Sequence, residues 1–217
     1  MPIGNTTTII APNMNLVRDP RWGRAQEVYS EDPRLSSELT LQFVTGAQGP
    51  NNERYLLTGA CCKHYAAVRH LSVSSSLGGS SSLIYLALLW CGQYDLESIP
   101  VPRTNFSALV DVRNMWETFL PVFHACVVKA KASHVMCSYN SINGIPTCGD
   151  PNLMNGILRD QWGFKGFVVS DYDAWANIKD THFYCPDYVC AAAVGYVGCF
   201  SHLISLFNLV AHSCHRV

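Results

Sequence analysis

The chain has 217 residues, 48% hydrophobic and 14% charged, enough for one or two domains with a packed core. Its net charge of −1 gives no electrostatic attraction toward nucleic acid or an anionic membrane. Ten cysteines point to an oxidising compartment, yet no basic n-region and apolar h-region follows Met1.

In chain order, Thr8 to Pro12 reads as a strand. The Arg18-Asp19-Pro20-Arg21-Trp22-Gly23-Arg24 stretch follows, dense in guanidinium, carboxylate and aromatic groups. Such a cluster either grips sugar hydroxyls and a sugar face or forms a salt-bridged surface turn. Ser30-Glu31-Asp32-Pro33 predicts a capped helix from Arg34 to Ala47, with Leu35, Leu39, Leu41 and Phe43 as its apolar positions. Leu56 to Cys62 predicts a buried strand that delivers Lys63 and His64 at its end. That pair can donate to hydroxyls, or be a solvated Lys beside a packed His.

A helix is predicted from Val112 to Ala132, its core positions being Met115, Phe119, Val122, Phe123, Cys126 and Val127. The strand His134 to Asn140, a turn over Ser141 to Pro146, and a helix from Pro151 to Trp162 ending at Gly163 come next. Phe167-Val168-Val169 then makes a short buried strand that stops at Ser170-Asp171. A carboxylate at a strand's carboxyl end faces substrate in α/β barrels, or it opens a loop and caps the next helix. Strand and helix alternating in this way predict a parallel α/β domain with its site at the strands' carboxyl ends.

The ordered segments NLVRDPRWGRAQEVYSEDP, CCKHYAA, YDLES…RTNF, WETFLPVFHACV, VMCSYNSINGIPTC and WGFKGFVVSDYDAW resemble glycoside hydrolase family 3, in its β-xylosidase and β-glucosidase branch. The resemblance implies an α/β fold, an incomplete TIM-type (β/α)8 barrel. It implies a retaining, exo-acting β-glycosidase that removes non-reducing-end β-linked xylose or glucose, with Asp171 as nucleophile. By the same resemblance Arg24, Lys63, His64, Met136, Tyr139 and Tyr172 surround the sugar, and Cys137 pairs with Cys148. No cofactor or metal is implied, the partner is a β-linked glycoside with no nucleic acid or membrane, and the location is extracellular.

The sequence departs from the family pattern in three places. Met1 falls inside the expected barrel, so the early strands and one sugar-binding Asp are expected outside this chain. Residues 68–93 interrupt the pattern, read as a retained intron or as a binding loop, and residues 196–217 form a tail without family pattern, leaving 1–195 as the partial barrel. The acid/base carboxylate is expected from a second domain. A catalytically inactive remnant or carbohydrate-binding pseudoenzyme is therefore the alternative reading. The apolar run of residues 191–211 approaches membrane-span length but lacks flanking charge asymmetry, and Cys185, Cys190, Cys199 and His202 fit no standard metal spacing.

Overall fold

The computed structural model describes residues 7–18, 22–49, 55–67 and 103–200. The 68–93 insert, residues Asp19 to Arg21 and YDLES lie outside the described residues, as does the tail beyond Phe200. In chain order the strands are β1 (Thr8–Ile9), β2 (Gly59–Tyr65), β3 (Ser107–Ala108), β4 (His134–Cys137), β5 (Ser141–Ile142), β6 (Ile145–Pro146) and β7 (Phe167–Ser170). β1, β2, β4 and β7 lie side by side in that order and run parallel. β3, β5 and β6 make a separate small sheet. Helices lie between successive strands of the main sheet: Pro33–Gln48, the composite helix 112–129 and Asn152–Gln161. This alternation is an arc of the expected barrel.

Asp32 starts the first helix by accepting from the backbone N–H groups of Arg34 (2.6 Å) and Leu35 (3.0 Å), and Pro33 occupies the first turn. Its inward face corrects the sequence expectation. Ser36, Thr40, Val44 and Gln48 are buried, whereas Leu35, Leu39 and Phe43 are 50%, 39% and 38% exposed. Gln48 sets that rotation. Its Nε2 donates to Lys131 O (3.0 Å), and its Oε1 accepts from Ala60 N (3.2 Å) and Ser133 N (2.8 Å). One side chain thereby joins the helix to the beginnings of β2 and β4, and buried amides must find such partners.

The helix over residues 112–129 packs on the first and buries Phe119, Val122, Phe123, Cys126 and Val127, as their spacing predicts. It stops before Ala132 because Lys131 takes a left-handed φ of 54°. Its turns over Met115–Phe119 and Ala125–Lys129 are wide, on either side of Leu120–His124. Pro121 accounts for the first of these, since its ring crowds the carbonyl of Glu117 and offers no N–H in return.

β2 begins three residues later than predicted, which places Lys63 and His64 inside the strand. Leu56 and Leu57 are 46% and 60% exposed instead. The neighbours decide this: Gly59 pairs with Thr8, its N–H reaching Thr7 O, and Lys63 N reaches Pro12 O. Gly59 also sits against the His134 ring, where a Cβ would be 2.9 Å from its Cε1 atom.

Tyr65 is fully buried, its ring 5.0 Å from that of Phe123 and its hydroxyl donating to Leu153 O. It joins β2 to the helices on either side of β4. Burying a side chain of that kind contributes about 1.5–3 kcal/mol. Disulfides connect Cys62 to Cys126, Cys137 to Cys148, as the resemblance implies, and Cys185 to Cys190. Cys61 is a buried free thiol, its pKa pushed up to about 12 chiefly by burial. The last helix, Tyr188–Phe200, packs on Ala174–Asp180 and on the turn at Cys148 and Gly149. Among the described residues no helix is long and apolar enough to cross a membrane, and no three His, Cys, Asp or Glu side chains gather as a metal set.

Gly166 precedes β7, and a Cβ there would collide with the Ser133 carbonyl oxygen and the Phe164 ring. Gly166→Ala is expected to destabilise the fold by about 1–3 kcal/mol, as overpacking does. An urea-denaturation midpoint equal to wild type would refute that packing.

Candidate active site

The carboxyl ends of β2, β4 and β7 converge on a small, half-open cleft. Arg24, His64, Arg103, Ser138, Tyr139, Asn140 and Asp171 line it. Asp171 follows β7 directly, and its N–H still reaches Cys137 O (3.3 Å), so the sheet itself aims the residue. Its Oδ1 accepts from Tyr172 N (2.8 Å), while Oδ2 lies 3.6 Å from His64 Nε2.

Asn15 fixes His64. The amide Nδ2 donates to His64 O (3.0 Å), and Oδ1 accepts from His64 N (2.9 Å) and faces the ring Nδ1 at 3.1 Å. The two backbone bonds settle which end of the amide is oxygen, so Nδ1 carries the proton and Nε2 holds a lone pair. Arg24 Nη2 approaches that lone pair at 3.4 Å. Burial first, then the charges of Arg24, Lys63 and Arg103, hold the His64 pKa well below 6.5. The ring is neutral, so its 3.6 Å approach to Asp171 is no ion pair.

Arg24 reaches His64 while forked onto Glu27, with Nε to Oε1 at 2.8 Å and Nη2 to Oε2 at 2.7 Å. That guanidinium is the main cause of a Glu27 pKa below its usual value. Tyr139 stands across the cleft with the Arg103 guanidinium 5.1 Å from its ring centre, a cation–π distance. Its phenol pKa is pushed up to about 12, first by burial and then by the charge of Asp171. Ser138 ties the same loop to β2 through Tyr65 O, and Asn140 ties it through Ala67 O.

Of the residues expected from the sequence, the structure brings Arg24, His64, Tyr139 and Asp171 together. Lys63, Met136 and Tyr172 are outside the cleft's lining. Lys63 is half-buried one residue away, and its charge acts on Glu27, Cys61 and His64. Met136 is buried in β4, and Tyr172 is 81% exposed. Arg103, Ser138 and Asn140 join the site without a sequence signal of their own, although each lies within a family-like segment, RTNF or MCSYN. Asn15 and Glu27 were within reach too, inside NLVRDPRWGRAQE, but their role is contact with other side chains, which spacing does not reveal.

A carboxylate at the end of a parallel strand, set among Arg, His and Tyr, defines an α/β barrel-type site at the strands' carboxyl face. Residues 4–82 and 107–195 match the model of the glycosyl hydrolase family 3 N terminal domain, and the chain belongs to that family. Beta-D-xylosidase 3 of Arabidopsis thaliana is 39% identical over 170 residues, covering 77% of this chain and 19% of the relative. A xylan 1,4-beta-xylosidase of Xylanibacter ruminicola is 38% identical, covering 81% and 17%. Among solved structures, a family 3 exo-beta-xylosidase in complex with a xylobiose aziridine activity-based probe superposes with a TM-score of 0.72 at 28% identity, over 88% of this chain and 22% of that one. The beta-glucosidase from Listeria innocua in complex with glucose gives 0.68 at 26% identity, over 95% and 26%. The chain thus spans about a fifth of the length of these relatives.

Because the unfolded His64 ring takes a proton near pH 6.5 and the folded ring does not, stability is expected to fall as pH drops below 6.5. His134 and His182 are lowered by burial as well and act in the same direction. An imidazole NMR signal of His64 that titrates at or above pH 6.5 would contradict this.

Proposed function

We propose that the chain carries the nucleophile and sugar-binding half of a retaining β-glycosidase acting on non-reducing-end β-linked xylose or glucose. The observation that carries this is Asp171, whose carboxylate enters the cleft at the end of β7 beside Tyr139, His64 and Arg24. An Asp171 oxygen attacks the anomeric carbon, the glycosidic C–O bond breaks, and the leaving oxygen takes a proton. Water then attacks the same carbon, releasing the sugar and restoring the carboxylate. His64 Nε2 and Asp171 Oδ2, 3.6 Å apart, are both acceptors, and a sugar hydroxyl placed near them supplies the missing donor. Arg24 and Arg103 donate in turn to hydroxyl oxygens. Lys63, Met136 and Tyr172 join the sugar site only through the family resemblance.

Retaining chemistry needs a second carboxyl group about 5–5.5 Å from the first. Asp171 is the one carboxylate among the cleft-lining residues. Glu27 is held ionised by Arg24, the reverse of what a general acid requires. The described residues of the cleft therefore leave the proton donor to be supplied from elsewhere. That observation also favours the second reading, a sugar-binding chain without turnover of natural glycosides. The relatives named above as xylosidases favour xylose over glucose. Three disulfides among the described residues suit a secreted protein.

A leaving group that needs no proton separates the readings. With 2,4-dinitrophenyl β-xyloside the chain is expected to release a burst of phenolate and form an ester on Asp171. Azide is expected to discharge that ester as the β-xylosyl azide. Asp171→Asn is expected to lower the burst rate by a factor of about 1,000 or more, the scale of losing a covalent nucleophile. Xylose binding without any burst would establish the non-catalytic reading.

A further inference from the structure

The helix Ala174–Asp180 begins three residues after Asp171 and is followed by Thr181 and His182. His182 Nε2 lies 2.7 Å from the carbonyl oxygen of Tyr139. A carbonyl only accepts, so the proton sits on Nε2. The neighbouring Thr181 Oγ1 lies 2.6 Å from Thr104 O, the shorter contact and the one that takes its single proton, with Asn177 O of its own helix 3.2 Å away. Thr104 adjoins Arg103, whose guanidinium lies over the Tyr139 ring. Two adjacent side chains thus hold the backbones of both partners in the Arg103–Tyr139 stack, from the segment that starts at Asp171. Neither Thr181 nor His182 lines the cleft.

We propose that Thr181 and His182 are positioning residues, a two-pronged clip that sets the Tyr139 hydroxyl and the Arg103 guanidinium against the Asp171 carboxylate. The inference rests on Asp171 being the nucleophile. The hydroxyl must be held toward the reacting oxygen to orient it; Ser138 and Asn140 anchor the loop on either side of Tyr139, and His182 holds the Tyr139 carbonyl between them. The link from helix end to loop makes the three parts move as one. A displacement of about 1 Å at a reacting group can cost on the order of 100-fold in rate.

The test is the reaction of the chain with a xylose-configured aziridine. The reacting species is the aziridinium, protonated by solvent: an Asp171 oxygen–carbon bond forms, the ring C–N bond breaks, and the nitrogen keeps the electron pair and leaves as a neutral amine. The inactivation rate constant kinact is separated from the binding constant KI. His182→Phe is expected to lower kinact roughly 10- to 100-fold with KI unchanged, and His182→Gln, whose amide can donate to the same carbonyl, to restore most of it. Thr181→Val acts in the same direction and serves where His182→Phe does not fold. In a Tyr139→Phe background the His182 change is expected to add little, because the hydroxyl it aims is gone. An unchanged kinact in the folded variants, or a fully additive loss in that background, overturns the proposal. Failure of the wild-type chain to label Asp171 sinks the nucleophile reading by itself. The clip is then decided by hydrogen–deuterium exchange: faster exchange over residues 138–142 in His182→Phe but not in His182→Gln supports it, and unchanged exchange overturns it.

Discussion

The register of three parallel strands governs this structure. Cys62 lies opposite Val135, Val135 opposite Val168, and Cys137 opposite Ser170. Parallel pairing leaves the carboxyl ends of the strands level, so residues leaving them meet on one side. His64, Tyr139 and Asp171 come from segments more than thirty residues apart in sequence, and that register brings them to one cleft, with Asn15 fixing His64 where the pairing shifts between Cys62 and Tyr65. A slip of one residue in β7 would exchange the faces of Val168 and Val169 and carry Asp171 away from His64. Gln48 guards against this for β2 and β4, because its amide binds the beginnings of both strands.

Charge in the cleft is arranged to keep one imidazole neutral and one carboxylate accessible. Arg24, Lys63 and Arg103 all oppose a proton on His64, while Asn15 dictates where the single ring proton resides. Glu27 absorbs much of the Arg24 charge through a bidentate pairing, which fixes the direction of the fork as well as its field. The same guanidinium serves two neighbours, and so its orientation couples the loop after β1 to β2.

Local signals in the sequence carried the alternation of elements, the capped helix at Asp32, the core face of the 112–129 helix and the β7 strand ending at Asp171. They carried less about how elements turn relative to one another. Of the four apolar positions predicted for the first helix only Leu41 packs against the core; hydrogen bonds from Gln48 to two distant strands leave Leu35, Leu39 and Phe43 on the outer side. Leu56 and Leu57 look like strand residues and predict a start for β2 three residues early, whereas pairing with Thr8 decides its start at Gly59. In the site, Arg24, His64, Tyr139 and Asp171 were visible through motif resemblance. Arg103, Asn15 and Glu27 act through contacts made across 35 or more intervening residues or through other side chains, and no spacing rule records those.

The buried thiol of Cys61 stands beside a cysteine already bonded to Cys126. Exchange between neighbouring thiols and disulfides proceeds through the thiolate. With a pKa of about 12, the thiolate fraction at neutral pH is on the order of 10⁻⁵. Once β2 has paired on both sides, the odd sulfur is chemically silent. The Cys62–Cys126 bond is then protected against exchange with its neighbour by the same burial that holds the strand in place.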